Sequence, residues 1–275
     1  MSDASEVRVR VEEPGGESDG VVRLVLANPA RHNVVDFAFG DQFLAAVTGP
    51  ARGARCVEIV AEGPNFCVGG DVRGFAADPD RSLSELAEHF HTAQRALLDL
   101  EAPVVIGVQG WAAGIGLSLV LSGDIVVMAT GARLRPAYTG IGLTPDGGMT
   151  ALLPAAVGRA RAMDMFATNR PMDAAEALAA GLASRVVPDG SLPTETDALA
   201  ATVAAGPPEA LRATKRLLRA APSSVSDRPA LDAHLDAEAT SIGERGASAE
   251  GREGIASFVE KRPAAWSAAA RAADR

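Results

Sequence analysis

The sequence predicts an α/β fold in which strands and helices alternate through about Asp189 and helices alone follow, giving a mixed core over residues 1–189 and a helical region over 190–275. Three observations predict it. Runs of strand length, rich in β-branched residues, recur at Val21 to Leu26, Cys56 to Ala61 and Pro103 to Val108. Segments between and after them open on helix caps: Asp36 for one, the pair Ser82 and Glu85 for another, Asp173 and Glu176 for a third. Glycine loops, one at Val68 to Gly70 and one at Gly110 to Gly116, stand at strand ends, where the backbone must turn sharply or lie close to another segment.

The elements follow in order. Val7 to Val11 alternates apolar and charged residues, EEPGGESDG supplies turn chemistry, and Val21 to Leu26 resumes as a strand, so the chain opens on a hairpin with a long loop. NPARHN, Asn28 to Asn33, is a polar loop, and Asp36 caps a helix through about Val47. After the strand Cys56 to Ala61, Ser82 and Glu85 form a capping box that starts a helix to about Leu100. Its His89 and His91 are two apart, fall on different faces and read as solvated residues rather than ligands. In the central stretch Pro103 to Met128, a buried strand to Val108 meets a tight glycine turn, then a helix through Leu121 and the apolar block Ile125 to Met128. A short strand near Ala132 to Leu134 leads into AYTGIGLTPDGGMT, and helical segments follow at Thr150 to Ala156 and Arg159 to Ala167. Asp173 and Glu176 open a helix that Gly181 ends, and Ser184 to Val187 is a last strand. Beyond Pro193, Pro207 and Pro208 stand at a helix start with a Lys/Arg cluster at its end, where cations suit the dipole; Asp227 to Ile242 and Ala247 to Lys261 complete a helical tail.

Composition excludes several classes of function. At 47% hydrophobic and 22% charged, the chain can build a sizeable core and is not disordered by default. A net charge of −9 without concentrated Lys and Arg argues against a nucleic-acid partner. Cys56 and Cys67 are too few for a disulfide framework, and no Cys/His cluster has zinc spacing, so a reduced, metal-free interior is expected. The long apolar stretch Val104 to Val127 is broken by Gly, Gln, Ser and Asp124 and is no membrane span, and the amino terminus has no apolar signal core, so a cytoplasmic location is expected.

The glycine loops carry the chemistry. If the backbone N–H groups of Gly70 and Ile115 converge, they form a two-donor oxyanion hole whose hydrogen bonds strengthen as a carbonyl gains charge, each worth ~3 kcal/mol. The same glycines also permit close helix–strand packing with no ligand at all. A dinucleotide fingerprint fails because Leu119 stands where its third glycine belongs, and a phosphate-cradling loop ending in Gly-Lys-Ser/Thr fails because Gly70 runs into Asp71.

Five blocks, NPARHN, FCVGGD, APVVIGVQGWAAGIGLSLVLSGDIVV, GIGLTPDGGMTALLPAAVGRARAM and REGIASFVEKR, resemble in this order the crotonase superfamily, the enoyl-CoA hydratase/isomerase family, over about Val7 to Arg262. The resemblance implies a crotonase-like spiral core of ββα turns, a helical carboxy-terminal region used in forming a homotrimer or dimer of trimers, and acyl-CoA substrates. Coenzyme A is then part of the substrate and no separate cofactor is expected. Gly70 and Ile115 match the two oxyanion positions, with Ile115 in place of the usual glycine.

The resemblance also bears on acid–base residues. Family hydratases place glutamates at the positions of Ser118 and Tyr138, so a matched pair for adding water is missing here. Asp146 in LTPDGG matches the catalytic aspartate of several isomerases, and the run is similar to the ring-1,2-epoxyphenylacetyl-CoA isomerase subgroup. Read from the residues alone, Asp146 is equally an N-cap for Gly147 to Pro154; as a proton shuttle it needs an apolar wall, for which Ile115, Ile141 and Leu143 are candidates. Tyr138 either orients a substrate carbonyl or fills the pocket, and Val68 belongs to the substrate-binding loop. Asp71 and Asp124 match structural positions and are expected to cap backbone. By the same resemblance Arg31 belongs to the loop around the nucleotide end of coenzyme A, and Phe258 and Lys261 reach the nucleotide of a neighbouring subunit. The helix Ser82 to Leu100 and the loop Gly74 to Arg81 are expected to line the acyl pocket. The expected activity is an acyl-CoA isomerase, with a hydratase or hydrolytic relative and a non-catalytic acyl-CoA-binding subunit as the alternatives.

Overall fold

A computed structural model describes residues 6–16, 18–71, 79–221, 233, 235, 236, 244 and 248–265, with the backbone alone for 79–83, 258 and 259. The predicted hairpin forms: β1 (Val9–Glu12) runs antiparallel to β2 (Val21–Leu26), Val9 opposite Leu26. After α1 (Phe37–Thr48), β3 (Cys56–Ala61) adds parallel to β2, and after α2 (Pro79–Leu98), β4 (Val104–Val108) adds parallel to β3 with Ile106 opposite Ile59. The chain then crosses to a second layer as β5 (Trp111–Ala113), forms α3 (Ile115–Leu121), and returns as β6 (Ile125–Ala129) beside β4. The next turn repeats the path with β7 (Arg133–Arg135), α4 (Met149–Val157) and α5 (Arg159–Thr168). Then β8 (Met172–Asp173), α6 (Ala174–Ala180) and β9 (Arg185–Val187) close the six-stranded sheet in the order β1-β2-β3-β4-β6-β9 against a three-stranded sheet β5-β7-β8. Isolated bridges Val35 to Gly70 and Cys67 to Ala112 extend the small layer into the earlier turns, so each turn gives one segment to each layer before its helix. α7 (Leu192–Ala204), α8 (Pro208–Ala220) and α9 (Ala249–Glu260) follow.

Burial explains why these residues form these elements. All of β4 is buried, which suits a continuous apolar run in the middle of a parallel sheet covered on both faces. Asp36 caps α1 by accepting from the Phe39 N–H, and α1 meets α2 through Phe39, Phe43 and Phe90, whose ring centroids lie 5.6–6.5 Å apart. The Asp173 side chain accepts from Glu176 N and left-handed Gly181 ends α6, as expected of that capping box. Asp124 accepts from Val104 N at 2.8 Å, the expected backbone role, and also pairs with Lys215 at 2.6 Å.

Several expectations are corrected. α2 starts at Pro79, so Ser82 lies inside the helix and does not cap it; proline is itself suited to a first helical position. The turn before α3 contains β5, and Met172–Asp173 is a strand; both are too short to show a period and exist only because β7 pairs with them. Lys215, read as part of the Lys/Arg cluster at the end of its helix, is buried. Past Asp189, Leu192, Leu199, Ala200 and Ala204 of α7 pack into the same cluster as the sheet. The segment Asp227 to Ile242 lies outside the described residues apart from positions 233, 235 and 236. No helix among the described residues is long and apolar enough to cross a membrane.

Candidate active site

The two glycine loops lie side by side. Cys67 N donates to Trp111 O at 3.1 Å and Ala113 N to Cys67 O at 2.9 Å, lacing residues 66–70 to β5. At Gly116 a Cβ would run into the Cys67 carbonyl, so glycine is what permits the approach. On the loop's other side, Val35 N donates to Gly69 O and Asp71 N to Val35 O, a parallel pairing in which the N–H of Gly70 itself faces away from residue 35. Ile115 is the first residue of α3, where no carbonyl lies one turn back. Among the described residues neither the Gly70 nor the Ile115 N–H has an acceptor. Both residues line one cavity of about 120 Å³.

Asp146 enters the same cavity from the loop before α4. Its carboxylate accepts from the Tyr138 hydroxyl, and its carbonyl accepts from Ser118 Oγ at 3.0 Å. Burial, reinforced by the Asp146 charge, holds the Tyr138 phenol above its ordinary range, so it stays a donor. The N-cap alternative for Asp146 is overturned: α4 starts at Met149 behind left-handed Gly148, with no side-chain cap. At Gly147, φ is +60° and a Cβ would lie 2.6 Å from Ile115 Cδ1 and 2.7 Å from Ser118 Cβ, so only glycine lets this loop cross α3 so closely. Val68, Ile141 and Leu143 line the cavity as well, with Leu86, Ala87 and Phe90 from α2, whereas residues 74–78 of the loop before α2 lie outside the described residues. Asp146 is the one carboxylate lining the cavity among the described residues.

The nucleotide-end candidates are placed elsewhere. Arg31 is about a third exposed and bound to Asp71 at 2.6 Å and Asp36 at 3.3 Å, so Asp71 holds a guanidinium instead of the expected backbone cap. Lys261 is exposed just after α9 with φ +55°, and the Phe258 side chain lies outside the described residues. The expectation that His89 and His91 are merely solvated is corrected too. His89 stands 3.0 Å from Asp41, and His91 Nε2 accepts from Gly147 N at 3.0 Å and lies 4.0 Å from Asp146 Oδ2. Gln94, one turn on, donates to Gly147 O at 2.6 Å. No periodicity in the sequence signals the contacts to Gly147, because they join a helix to a loop more than fifty residues away.

Comparison with known proteins adds a second line of evidence. The family model described as enoyl-CoA hydratase/isomerase matches residues 16–269. A Rhodobacter capsulatus protein named probable enoyl-CoA hydratase is 36% identical over 90% of this chain and 94% of its own length. The 1,2-epoxyphenylacetyl-CoA isomerase of Escherichia coli is 34% identical over 88% and 93%. A crystal structure of enoyl-CoA hydratase from Mycobacterium smegmatis superposes with a TM-score of 0.85 at 27% identity, covering 95% of this chain and 99% of that one.

Proposed function

The chain belongs to the enoyl-CoA hydratase/isomerase family and has the crotonase fold, and on that premise we propose that it is an acyl-CoA isomerase of the enoyl-CoA isomerase type. The observation that carries this reading is that, among the described residues, Asp146 is the one carboxylate in a cavity that also holds the N–H groups of Gly70 and Ile115, neither of which has an acceptor there. A thioester carbonyl oxygen seated between those donors becomes an enolate oxygen when Asp146 takes a proton from the adjacent carbon. The charge that spreads along the double bond then lets the same carboxyl return the proton two bonds away, moving the double bond without adding water. The apolar lining from Val68, Ile115 and Leu143 keeps water from competing for that proton. Tyr138 orients the carboxylate by donating to one oxygen. Hydration with a matched acid–base pair is disfavoured because Ser118 and Tyr138 stand at the two other carboxylate positions.

On this reading the chain is of the ring-1,2-epoxyphenylacetyl-CoA isomerase subgroup. Arg31, Phe258 and Lys261 serve the nucleotide end of coenzyme A, and the protein works as a cytoplasmic homotrimer or dimer of trimers. Hydratase activity is the second reading, favoured by the 36% identical relative of that name. The test is Asp146→Asn assayed on a 3-enoyl-CoA. We expect kcat to fall at least ~100-fold, the lower range for losing a positioned acid–base group. Undiminished turnover would refute the assignment. Incorporation of labelled oxygen from water into the wild-type product would select hydration, and coenzyme A thioester binding without any turnover would select a non-catalytic subunit.

A further inference from the structure

We propose that His91 is a positioning residue that sets Asp146 through the Gly147 peptide, and that protonation of its ring releases that hold. The inference rests on the reading of Asp146 as the proton carrier. His91 and Gln94 are three apart, on one face of α2, and grip the same glycine from both sides. His91 Nε2 accepts from Gly147 N at 3.0 Å, and Gln94 Nε2 donates to Gly147 O at 2.6 Å. Gln94 is buried and also donates to Ser122 Oγ at 3.0 Å, so its end of the grip is fixed by packing. Gly147 has left-handed φ and no side chain to lock it, so these two contacts, with Ser118 on the Asp146 carbonyl, hold the backbone that carries the carboxylate, while Tyr138 orients the carboxylate itself.

The acceptor role assigns the tautomer. Nε2 must carry the lone pair and Nδ1 the proton for Gly147 N–H to be received. A second proton removes that lone pair and sets an N–H against an N–H. It also places a cation 4.0 Å from Asp146 Oδ2, which favours the ionised carboxylate and weakens its grasp of a substrate proton. Both effects lower activity as the pH falls. His91 does not line the substrate cavity; it faces a separate cleft of about 220 Å³ behind the turn, with Gln94, Arg95 and Leu98, so solvent protons reach it from that side. Asp146 lies across the turn, Arg95 shares the cleft, and Glu88 stands three residues earlier on the same face of α2.

Two measurements test this. Nitrogen-15 spectra of histidine-labelled wild-type protein, with His91 assigned by its loss in His91→Gln, are expected to show the Nδ1–H tautomer at neutral pH. An Nε2–H tautomer overturns the proposal whatever the activity. In assays on a 3-enoyl-CoA, the acid fall in wild-type kcat is expected to coincide with the His91 titration seen in those spectra. His91→Leu is expected to lower kcat about tenfold or more with KM within about twofold and to lose that limb. His91→Gln, whose amide oxygen can receive the same N–H but does not titrate, is expected to recover most of the lost kcat without regaining the limb. Wild-type kcat with an unchanged profile in the leucine variant overturns the proposal. If that variant does not fold, an acid limb in the wild type that fails to track the His91 signal does so. Full turnover in Asp146→Asn would instead sink the isomerase reading and leave the tautomer result standing.

Discussion

Ile115 allows the amide to be separated from the side chain. It is the first residue of α3, a position where the fixed φ of proline suits the helix and its missing N–H breaks no helical bond. Ile115→Pro therefore deletes one candidate oxyanion donor, and kcat on a 3-enoyl-CoA is expected to fall ~10²- to 10³-fold while the far-ultraviolet spectrum stays that of the wild type. Ile115→Ala keeps the amide and removes part of the apolar wall, so its effect belongs in KM. A proline variant that turns over normally would show that this amide is not a donor. That Gly70 and Ile115 have N–H groups free of backbone acceptors among the described residues was legible in the sequence, because such a group is announced by local pattern: a glycine loop at a strand end, a helix opening after a tight turn. The partners of Asp146 were not legible. Tyr138, Ser118 and His91 reach it from three elements, and the spacing of the histidines in α2 says only that they occupy different faces.

Among the elements, the join between α8 and the sheet shows how a charge pattern misleads. KRLLR reads as a cationic helix end suited to the dipole, yet Lys215 turns inward, donates to Ala102 O at 2.7 Å and pairs with Asp124 at 2.6 Å. Burial lowers the proton affinity of Lys215, and Asp124 opposes that effect. Asp124 is thus tied to α8 and, through Val104 N, to the start of β4. Asp124→Ala is expected to destabilise the fold by ~3–5 kcal/mol in urea unfolding, because it leaves a buried ammonium without its counter-charge. Lys215→Met, which removes the buried charge itself, should cost much less. Equal losses in the two variants would mean that packing, not charge, sets the value of the contact. Helix and strand existence was legible wherever a cap or a β-branched run was present, and the shortest strands were not, since three residues carry no period and depend on a neighbour for every hydrogen bond.

For the molecule as a unit, Glu58 links stability to pH. It is fully buried on β3 and paired with Arg23 Nε at 2.7 Å, while its Oε1 has no partner among the described residues. Burial raises its carboxyl above the ordinary range, against the pull of Arg23. The folded state then binds this proton more tightly than the unfolded chain does, so stability falls as pH rises from the ordinary carboxylate range towards neutrality, with a slope of at most ~1.4 kcal/mol per pH unit. Glu58→Gln should flatten that part of the curve in urea titrations repeated across pH; an unchanged slope would assign the dependence to other groups. Arg23 also reaches Asp197 at 2.6 Å, so this network spans the sheet and α7 across the place where the sequence suggested a division. From the order of residues alone came the α/β class, the family and the candidates Gly70, Ile115 and Asp146 that the structure brings to one cavity, because apolar periods, caps and glycine turns are local and survive in one dimension. The tertiary structure alone decided what faces Asp146, which cations are buried and that the helical region shares the core. Those contacts join segments distant in the chain, and their energies depend on burial that no local pattern records.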